Sequence, residues 1–238
     1  MNILAIDTST SLASIAVAVN EQTVAESLLN TNRTLSARLV PEIERLLATA
    51  GLAITDIDLF ASTVGPGSFT GVRGGVATIQ GLALAVGKPC AGFSSLAMLA
   101  MNFSLSSTLV CPMLDARKGE LYAALYDCTS PLPSPCINDC ALPPAALLDQ
   151  IAGLTGKPVI FLGDGAVRYA DQISERLGAQ AIFAPFPLHT PHSSNGILLA
   201  LRASRRGELL EPGQLLPVYL RASDAELMKK KAVSPGIA

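Results

Sequence analysis

The chain has 238 residues, half of them apolar and 15% charged, with a formal net charge of −2. That length suits one large α/β domain or two small ones, and the apolar share leaves core material in ample supply. The charge balance excludes tight unaided binding to nucleic acid, which draws on a basic excess. Cys90 and Cys111 sit in apolar runs and read as buried thiols. Cys128, Cys136 and Cys140 lack an evident fourth ligand for zinc. The first residues show neither a charged leader nor a long apolar segment, and no uninterrupted apolar run approaches about 20 residues. A cytoplasmic protein with no membrane partner is expected.

Three strands open the chain, over residues 2–6, 13–19 and 23–29, joined by short connections that suit antiparallel hairpins. Leu35, Leu39, Ile43, Leu46, Leu47 and Ala50 then recur at helical spacing and predict one apolar stripe. Pro41 is either the first residue of the regular helix or the site of a kink, and Gly51 ends the element. A buried strand over 59–64 runs into Gly65-Pro66-Gly67-Ser68, which opens a helix over about 69–86 that Gly87 and Pro89 stop. The pattern recurs weakly. Residues 108–114 and 121–127 form a second hairpin, 159–162 a buried strand, and Gly163-Asp164-Gly165-Ala166 leads into a helix over 167–177. Between them, 129–144 carries Pro131, Pro133, Pro135, Pro143 and Pro144 and reads as an irregular surface excursion. A last helix covers about 195–206. Three antiparallel strands, helix, strand, helix is the opening of the actin-like (ASKHA) and ribonuclease-H-like folds. The expectation is therefore an α/β protein of two subdomains with a reduced second lobe. Residues 1–104 form the first subdomain with the partner-binding helices, and 105–238 the smaller second one with the C-terminal helix and tail.

Asp7-Thr8-Ser9-Thr10 stands at the first hairpin. In actin-like ATPases this turn carries an Asp that orients metal-bound water while neighbouring residues wrap the phosphates. Here Thr8 stands where a glycine would allow close backbone approach. The bland alternative is a turn capped by its own side chains. Strand, glycine-rich turn, helix is the layout that points N–H groups at an anion, and equally the one that brings two backbones close. Down the second helix Gly71, Gly75, Thr78, Gly81 and Ala85 recur at steps of three or four. Each interior glycine costs about 1 kcal/mol relative to alanine, so the stripe needs a compensating contact, within the chain or with another. The first helix offers a complementary apolar face, so an interchain contact is expected over Leu35, Leu39, Ile43, Leu46, Gly71, Arg73, Gly75, Thr78, Gly81 and Ala85. Its centre would be Leu39, Ile43, Gly75 and Gly81, with Gly75→Arg expected to break pairing and spare the fold.

Asp115 to Tyr122 joins two strands through a charged tip. It is either a solvated turn or a polar cluster of Asp115, Arg117 and Glu120 at a junction. Gly163-Asp164-Gly165-Ala166 resembles the adenine-contacting loop of actin-like ATPases, so the candidate nucleotide contacts are Asp7, Ser9, Gly163, Asp164 and Gly165. His189 and His192 are the only histidines. Pro191 between them removes the helical spacing a metal pair needs, and no Ser/His/Asp triad is assignable. No catalytic or metal-ligating residue is expected. The lysine run 229–231 reads as a solvated tail.

Five segments together resemble the TsaB family of the bacterial tRNA threonylcarbamoyladenosine machinery. They are Ile6-Asp7-Thr8-Ser9, Gly65-Pro66-Gly67-Ser68-Phe69-Thr70-Gly71-Val72-Arg73, Met113 to Tyr122, Gly163-Asp164-Gly165-Ala166 and Pro217-Val218-Tyr219-Leu220-Arg221. The resemblance implies an actin-like fold without catalysis of its own. It also implies pairing through the first helices with a catalytic paralogue, TsaD, joined by an ATPase subunit, TsaE. The complex transfers a threonylcarbamoyl group to N6 of adenosine 37 in tRNAs that read codons starting with A. The resemblance further implies a homodimer when the chain is alone, tRNA contact only through the complex, and no cofactor of its own, with ATP or ADP at the complex interface. The paralogue holds a metal through two histidines on its first long helix, whereas residues 35–42 here contain none. Without imidazoles that site cannot be built. The rival readings are a stand-alone ATP-dependent phosphotransferase or ATPase of the same superfamily, and a peptidase for which no nucleophile can be assigned.

Overall fold

The computed structural model describes residues 1–30 and 35–221, with side chains described for all of these except Leu35 and Ser36. The expected role of the Leu35 side chain and the lysine run 229–231 therefore lie outside the described residues. Two five-stranded sheets carry the molecule. In the first, β1 (Asn2–Asp7), β2 (Leu12–Val19) and β3 (Gln22–Asn30) form an antiparallel meander. β4 (Leu59–Gly65) and β5 (Cys90–Ser94) add in parallel, for the order β3-β2-β1-β4-β5. Helices cover both faces, which is why β1 and β4 are buried on both sides rather than on alternate residues, Ser62 and Thr63 of β4 included. Leu4, Ile6 and Phe60 point to α1 (Leu35–Thr49) and α2 (Phe69–Val86). Ile3, Ala5, Leu59 and Ala61 point the other way, to Ile197, Ala200 and Leu201 of the last helix, α7 (Ser193–Arg205).

α2 is the one helix among the described residues long and apolar enough to cross a membrane by length and composition. Its Val72, Val76, Ile79 and Ala83 are spent on the core of the first sheet. The same holds for the stripe on α1. Leu39, Ile43 and Leu46 are 1–2% exposed and lie inside this core. Leu39 and Leu46 thus serve the chain's own core rather than the expected partner face, and Ile43, expected at its centre like Leu39, reaches the surface only as the floor of a shallow groove: an amphipathic helix buries its apolar stripe against its own sheet first. Its outward residues are Val40, Glu44 and Ala48. Pro41 lies inside the helix rather than at its start.

The second sheet repeats the topology with β6 (Leu109–Arg117), β7 (Glu120–Asp127), β8 (Ser134–Leu142), β9 (Val159–Leu162) and β10 (Ala181–Phe183) in the order β10-β9-β6-β7-β8. Its reduction is in length: β9 and β10 have four and three residues. α4 (Pro144–Leu154), α5 (Asp164–Arg168) and α6 (Ala170–Leu177) lie on one face, around Met113, Phe161 and Ile151. The proline-rich 129–144 segment is largely regular. Pro133 precedes β8, and Pro135 lies within it on the edge of the sheet, where a missing N–H costs no ladder bond. Pro144 begins α4, again where no donor is needed.

The expected division at 104/105 fails at both ends, because each sheet takes its closing helix from the other half. α3 (Ser95–Ala100) places Leu96 and Leu99 beneath Val110, Leu114 and Ile160 of the second sheet. α7, far along the chain, returns to the first. Its N-terminal donors are met there: Ser193 N–H donates to Ser14 Oγ at 2.7 Å and Ser194 N–H to the Glu26 carboxylate at 3.0 Å. Cys90 and Cys111 are fully buried as expected, and burial pushes the Cys90 thiol up to about 11.

Candidate functional site: a cleft between the two sheets

β1 delivers Asp7 to the end of the first sheet. The residue is wholly buried. Its Oδ1 accepts from Thr63 Oγ1 at 2.6 Å and from Ser9 N–H at 3.1 Å, while Oδ2 has no partner among the described residues. Burial raises this carboxyl above the ordinary Asp value, against the pull of those hydrogen bonds. Thr8, equally buried, donates from Oγ1 to the Gly71 carbonyl at 2.8 Å. Ser68 N–H donates to the Ser9 carbonyl at 2.7 Å. The start of α2 is therefore seated on the β1–β2 turn.

That seat explains half of the glycine stripe. A Cβ on Gly71 would lie 2.1 Å from the Thr8 carbonyl oxygen, and one on Gly75 2.2 Å from Thr8 Oγ1. Both positions are buried. Their glycines serve contact within the chain, which corrects the expectation that Gly71 and Gly75 face a partner. Gly81 is different: it is exposed, and a Cβ there would meet nothing within 4 Å. Ala85 and Arg73 are exposed too, and Thr78 is half-buried.

The second sheet repeats the device. Gly163 has φ +93°, and a Cβ there would lie 2.2 Å from the Met113 carbonyl oxygen. At Gly165 it would lie 2.9 Å from the Met113 carbonyl carbon. These two glycines bring α5 onto β6. Gly163 N–H donates to His189 Nδ1 at 3.0 Å, which assigns the neutral ring proton to Nε2. Asp164 accepts from Asp115 N–H at 3.1 Å. Crowding by the surrounding protein raises its carboxyl pKa, although the residue keeps an open surface to the cleft. Asp115 pairs with Arg168 at 2.6 Å and accepts from Arg117 N–H at 3.0 Å. At the β6–β7 tip Arg117, Lys118 and Gly119 all have positive φ, at 61°, 54° and 80°.

The last described segment closes the side. Val218 N–H donates to the Val64 carbonyl at 2.7 Å. Arg73 Nε donates to Tyr219 Oη at 2.6 Å, and its guanidinium lies 3.6 Å from the centre of the Phe69 ring. Phe69 and Tyr219 stand with ring centres 4.9 Å apart. Arg221 pairs with Glu120 at 2.6 Å, joining this segment to the β6–β7 hairpin.

The result is a cleft of about 570 Å³ between the sheets. Segments 9–11, 66–70, 114–117 and 218–221 line it, together with Val72, Tyr122 and Asp164. Every family-like segment named from the sequence reaches this one place. Within them, Ser9 and Asp164 line the cleft, whereas Asp7, Gly163 and Gly165 do not. Asp7 as a direct nucleotide contact is thereby corrected: it is sealed behind Thr8 and Thr63. Phe69, Tyr219 and Arg221 line the wall without having been singled out. Their membership in the family-like segments was the available signal, but Arg73 and Tyr219 are 146 residues apart.

Residues 23–226 match the family model described as TsaD: tRNA N6-adenosine threonylcarbamoyltransferase. The chain is 31% identical over 226 residues to the tRNA threonylcarbamoyladenosine biosynthesis protein TsaB of Bacillus subtilis (strain 168), covering 95% of this chain and 96% of that one. It is 41% identical over 128 residues to the protein of the same name from Escherichia coli (strain K12), about half of either chain (53% and 55%). Among solved structures, YeaZ from Pseudomonas aeruginosa superposes with a TM-score of 0.78 at 30% identity, over 92% of this chain and 99% of that one. The ROK hexokinase from Thermus thermophilus, at 11% identity and a TM-score of 0.52 over 86% of this chain and all of that one, shares the fold alone. The two mixed sheets are thus an actin-like α/β fold. The chain belongs to the TsaB family, with a role in tRNA threonylcarbamoyladenosine biosynthesis.

Proposed function

We propose that this chain is the non-catalytic scaffold subunit of the machinery that places a threonylcarbamoyl group on N6 of adenosine 37 in tRNAs reading codons that start with A. In this reading it works in the cytoplasm, pairs with a TsaD-like catalytic paralogue, is joined by a TsaE-like ATPase, and meets tRNA within the complex. The observation that carries the reading is the burial of Asp7 and Thr8, at the start of the β1–β2 turn, beneath α2. The backbone that wraps phosphates in actin-like ATPases here wraps the chain's own helix, with Thr8 Oγ1 bound to the Gly71 carbonyl and Gly75 pressed against Thr8. The histidine-free segment 35–42 gives a second support, since the paralogue's metal needs imidazoles there. ATP or ADP is assigned to the partner junction rather than to Asp7.

The pairing face is the outer side of α1 and α2. Val40 and Leu84 are 39% and 73% exposed. A shallow groove of about 300 Å³ runs between the helices over Ile43, Leu47, Leu52 and Leu82. Gly81 and Ala85 leave the outer side of α2 smooth. Stacking two such helix pairs would bury on the order of 1,200–2,000 Å², and the same face suits a homodimer when the chain is alone.

Size-exclusion chromatography with light scattering, with and without the paralogue, tests this. The expected result is a homodimer that converts to a one-to-one heterodimer. Gly81→Arg should abolish both species without lowering the melting temperature, since it replaces an exposed helical glycine with a better helix former. A wild-type monomer indifferent to the paralogue, binding and turning over Mg-ATP by itself, would overturn the reading in favour of a stand-alone ATPase.

A further inference from the structure

The cleft mouth combines two kinds of group that the scaffold role leaves unused. On one wall stands an aromatic–guanidinium stack: Arg73 3.6 Å above Phe69 and 5.4 Å from the ring centre of Tyr219, which is 45% exposed. On the other is the tip of β6–β7, with Arg117 and Lys118 both exposed. Asp115 and Glu120 beside the tip are already held by Arg168 and Arg221, and Arg117 forms no ion pair among the described residues. Arg117 and Lys118 also take left-handed backbone conformations that Asn and Gly adopt more cheaply. Arg73, Arg117, Lys118, Arg168 and Arg221 outnumber Asp115, Glu120 and the cleft-lining Asp164 here, so in a chain of net charge −2 this end is locally basic, and it carries open aromatic surface.

We infer that the mouth of this cleft takes a single-stranded segment of RNA, with a base against the Tyr219–Arg73–Phe69 stack and its phosphates at Arg117 and Lys118. The chemistry is that of single-strand recognition, in which sequence-tolerant stacking on aromatic and guanidinium planes combines with cations along the backbone. The volume of the cleft is of small-ligand size, enough for a splayed base. Given the overall charge, the contact adds to a surface supplied by a partner. The inference rests on the scaffold reading, which makes that RNA the tRNA substrate.

The test titrates end-labelled unmodified tRNA by fluorescence anisotropy across a salt series, with the chain alone and with the chain paired to its TsaD-type paralogue. Three variants are compared: Arg117→Gln/Lys118→Gln, Tyr219→Leu, and Lys157→Gln, a control at the opposite end of β9. Melting temperatures and pairing are measured on each. The double variant should weaken binding about tenfold at low salt and flatten the slope of log K against log salt by about 1.4, the value for two single-strand phosphate contacts. Tyr219→Leu should weaken it about fivefold with the slope unchanged. Lys157→Gln should change nothing. Unchanged affinity and slope in the first two variants would overturn the inference. So would loss of paralogue pairing in the double variant, which would make the tip a protein interface. A wild-type chain that fails to pair marks failure of the scaffold reading instead, and the titrations of the chain alone then decide the RNA contact separately.

Discussion

The first and second sheets begin alike and end differently. Each has an Asp near the end of its first strand whose Oδ1 accepts the N–H two residues on: Asp7 from Ser9, Asp115 from Arg117. Each has a glycine junction that presses a helix against that strand end, at Gly71 and Gly75 in one and at Gly163 and Gly165 in the other. In the first half the start of the turn after the strand is tucked beneath an 18-residue helix. In the second the helix stops after five residues and Arg117 and Lys118 at the charged tip are exposed. One repeated scaffold thus produces a turn whose first residues are buried and one whose tip is exposed. The buried start of the first turn fixes the fold of the cleft, and Ser9, Thr10 and Ser11 beyond it share the lining with the second turn.

The largest effect should come from Gly75→Arg. The side chain would have to enter the 2.2 Å gap to Thr8, in a buried position. We expect a loss above about 4 kcal/mol, seen as failure to accumulate folded protein. Gly81→Arg on the same helix should leave resistance to urea undiminished, or raised by up to about 1 kcal/mol. Wild-type stability for Gly75→Arg would break the claim that the start of the first turn is buried beneath α2. Gly163→Ala probes the repeat in the second sheet. It combines a left-handed φ with a 2.2 Å approach to the Met113 carbonyl oxygen, and a loss of about 2–4 kcal/mol is expected by the same measurement. A cost near zero would mean that the two junctions are not equivalent.

Thr8→Val is a finer probe of the seal. It keeps the shape and deletes the hydroxyl that bonds the Gly71 carbonyl at 2.8 Å. The expected loss is about 1–2 kcal/mol, from a buried carbonyl left without its donor. Hydrogen exchange should then quicken at the start of α2 and stay unchanged in α5.

Much of this was legible in the sequence, because two periods carry it. The hairpins and the α1 and α2 stripes follow from spacing, β9 from its unbroken apolar run, and β4 from its place before the glycine turn. What spacing does not reveal is the neighbour. The glycine stripe marked a close approach, but Thr8, which fills half of it, is more than 60 residues earlier in the chain. Strand β8 was hidden by Pro133 and Pro135, which break a central strand but are tolerated at an edge. The exchange of α3 and α7 between the sheets left no local trace, since Ser14 and Ser193 are 179 residues apart. The cleft was legible as segments and not as a place. Its walls are joined by Arg73–Tyr219 and Glu120–Arg221, pairs that only the fold brings together.

The two aspartates offer the smallest effect and the sharpest sign. Asp115 has Arg168 at 2.6 Å, whereas Asp7 has hydroxyl and amide donors on one oxygen and none on the other. Burial raises the folded-state pKa of Asp7 above its unfolded value of about 3.8. A carboxyl shifted in that direction contributes stability that is fully present below the unfolded pKa and is lost as pH rises through the folded one. At neutral pH this group therefore contributes less to the stability of the native state than it does in acid. Asp58 and Asp127 have their values lowered by hydrogen bonds from Asn2 and Thr129, and they act in the opposite direction, losing stability as pH falls. The Asp7 contribution is isolated by difference. In Asp7→Asn the Oδ1 acceptor remains for Thr63 and Ser9 while the titration is removed. The melting temperature of the variant relative to wild type should accordingly rise between pH 4 and pH 8. A difference that stays flat across that range would mean that Asp7 titrates as it does in the unfolded chain and that the start of the first turn is open to water.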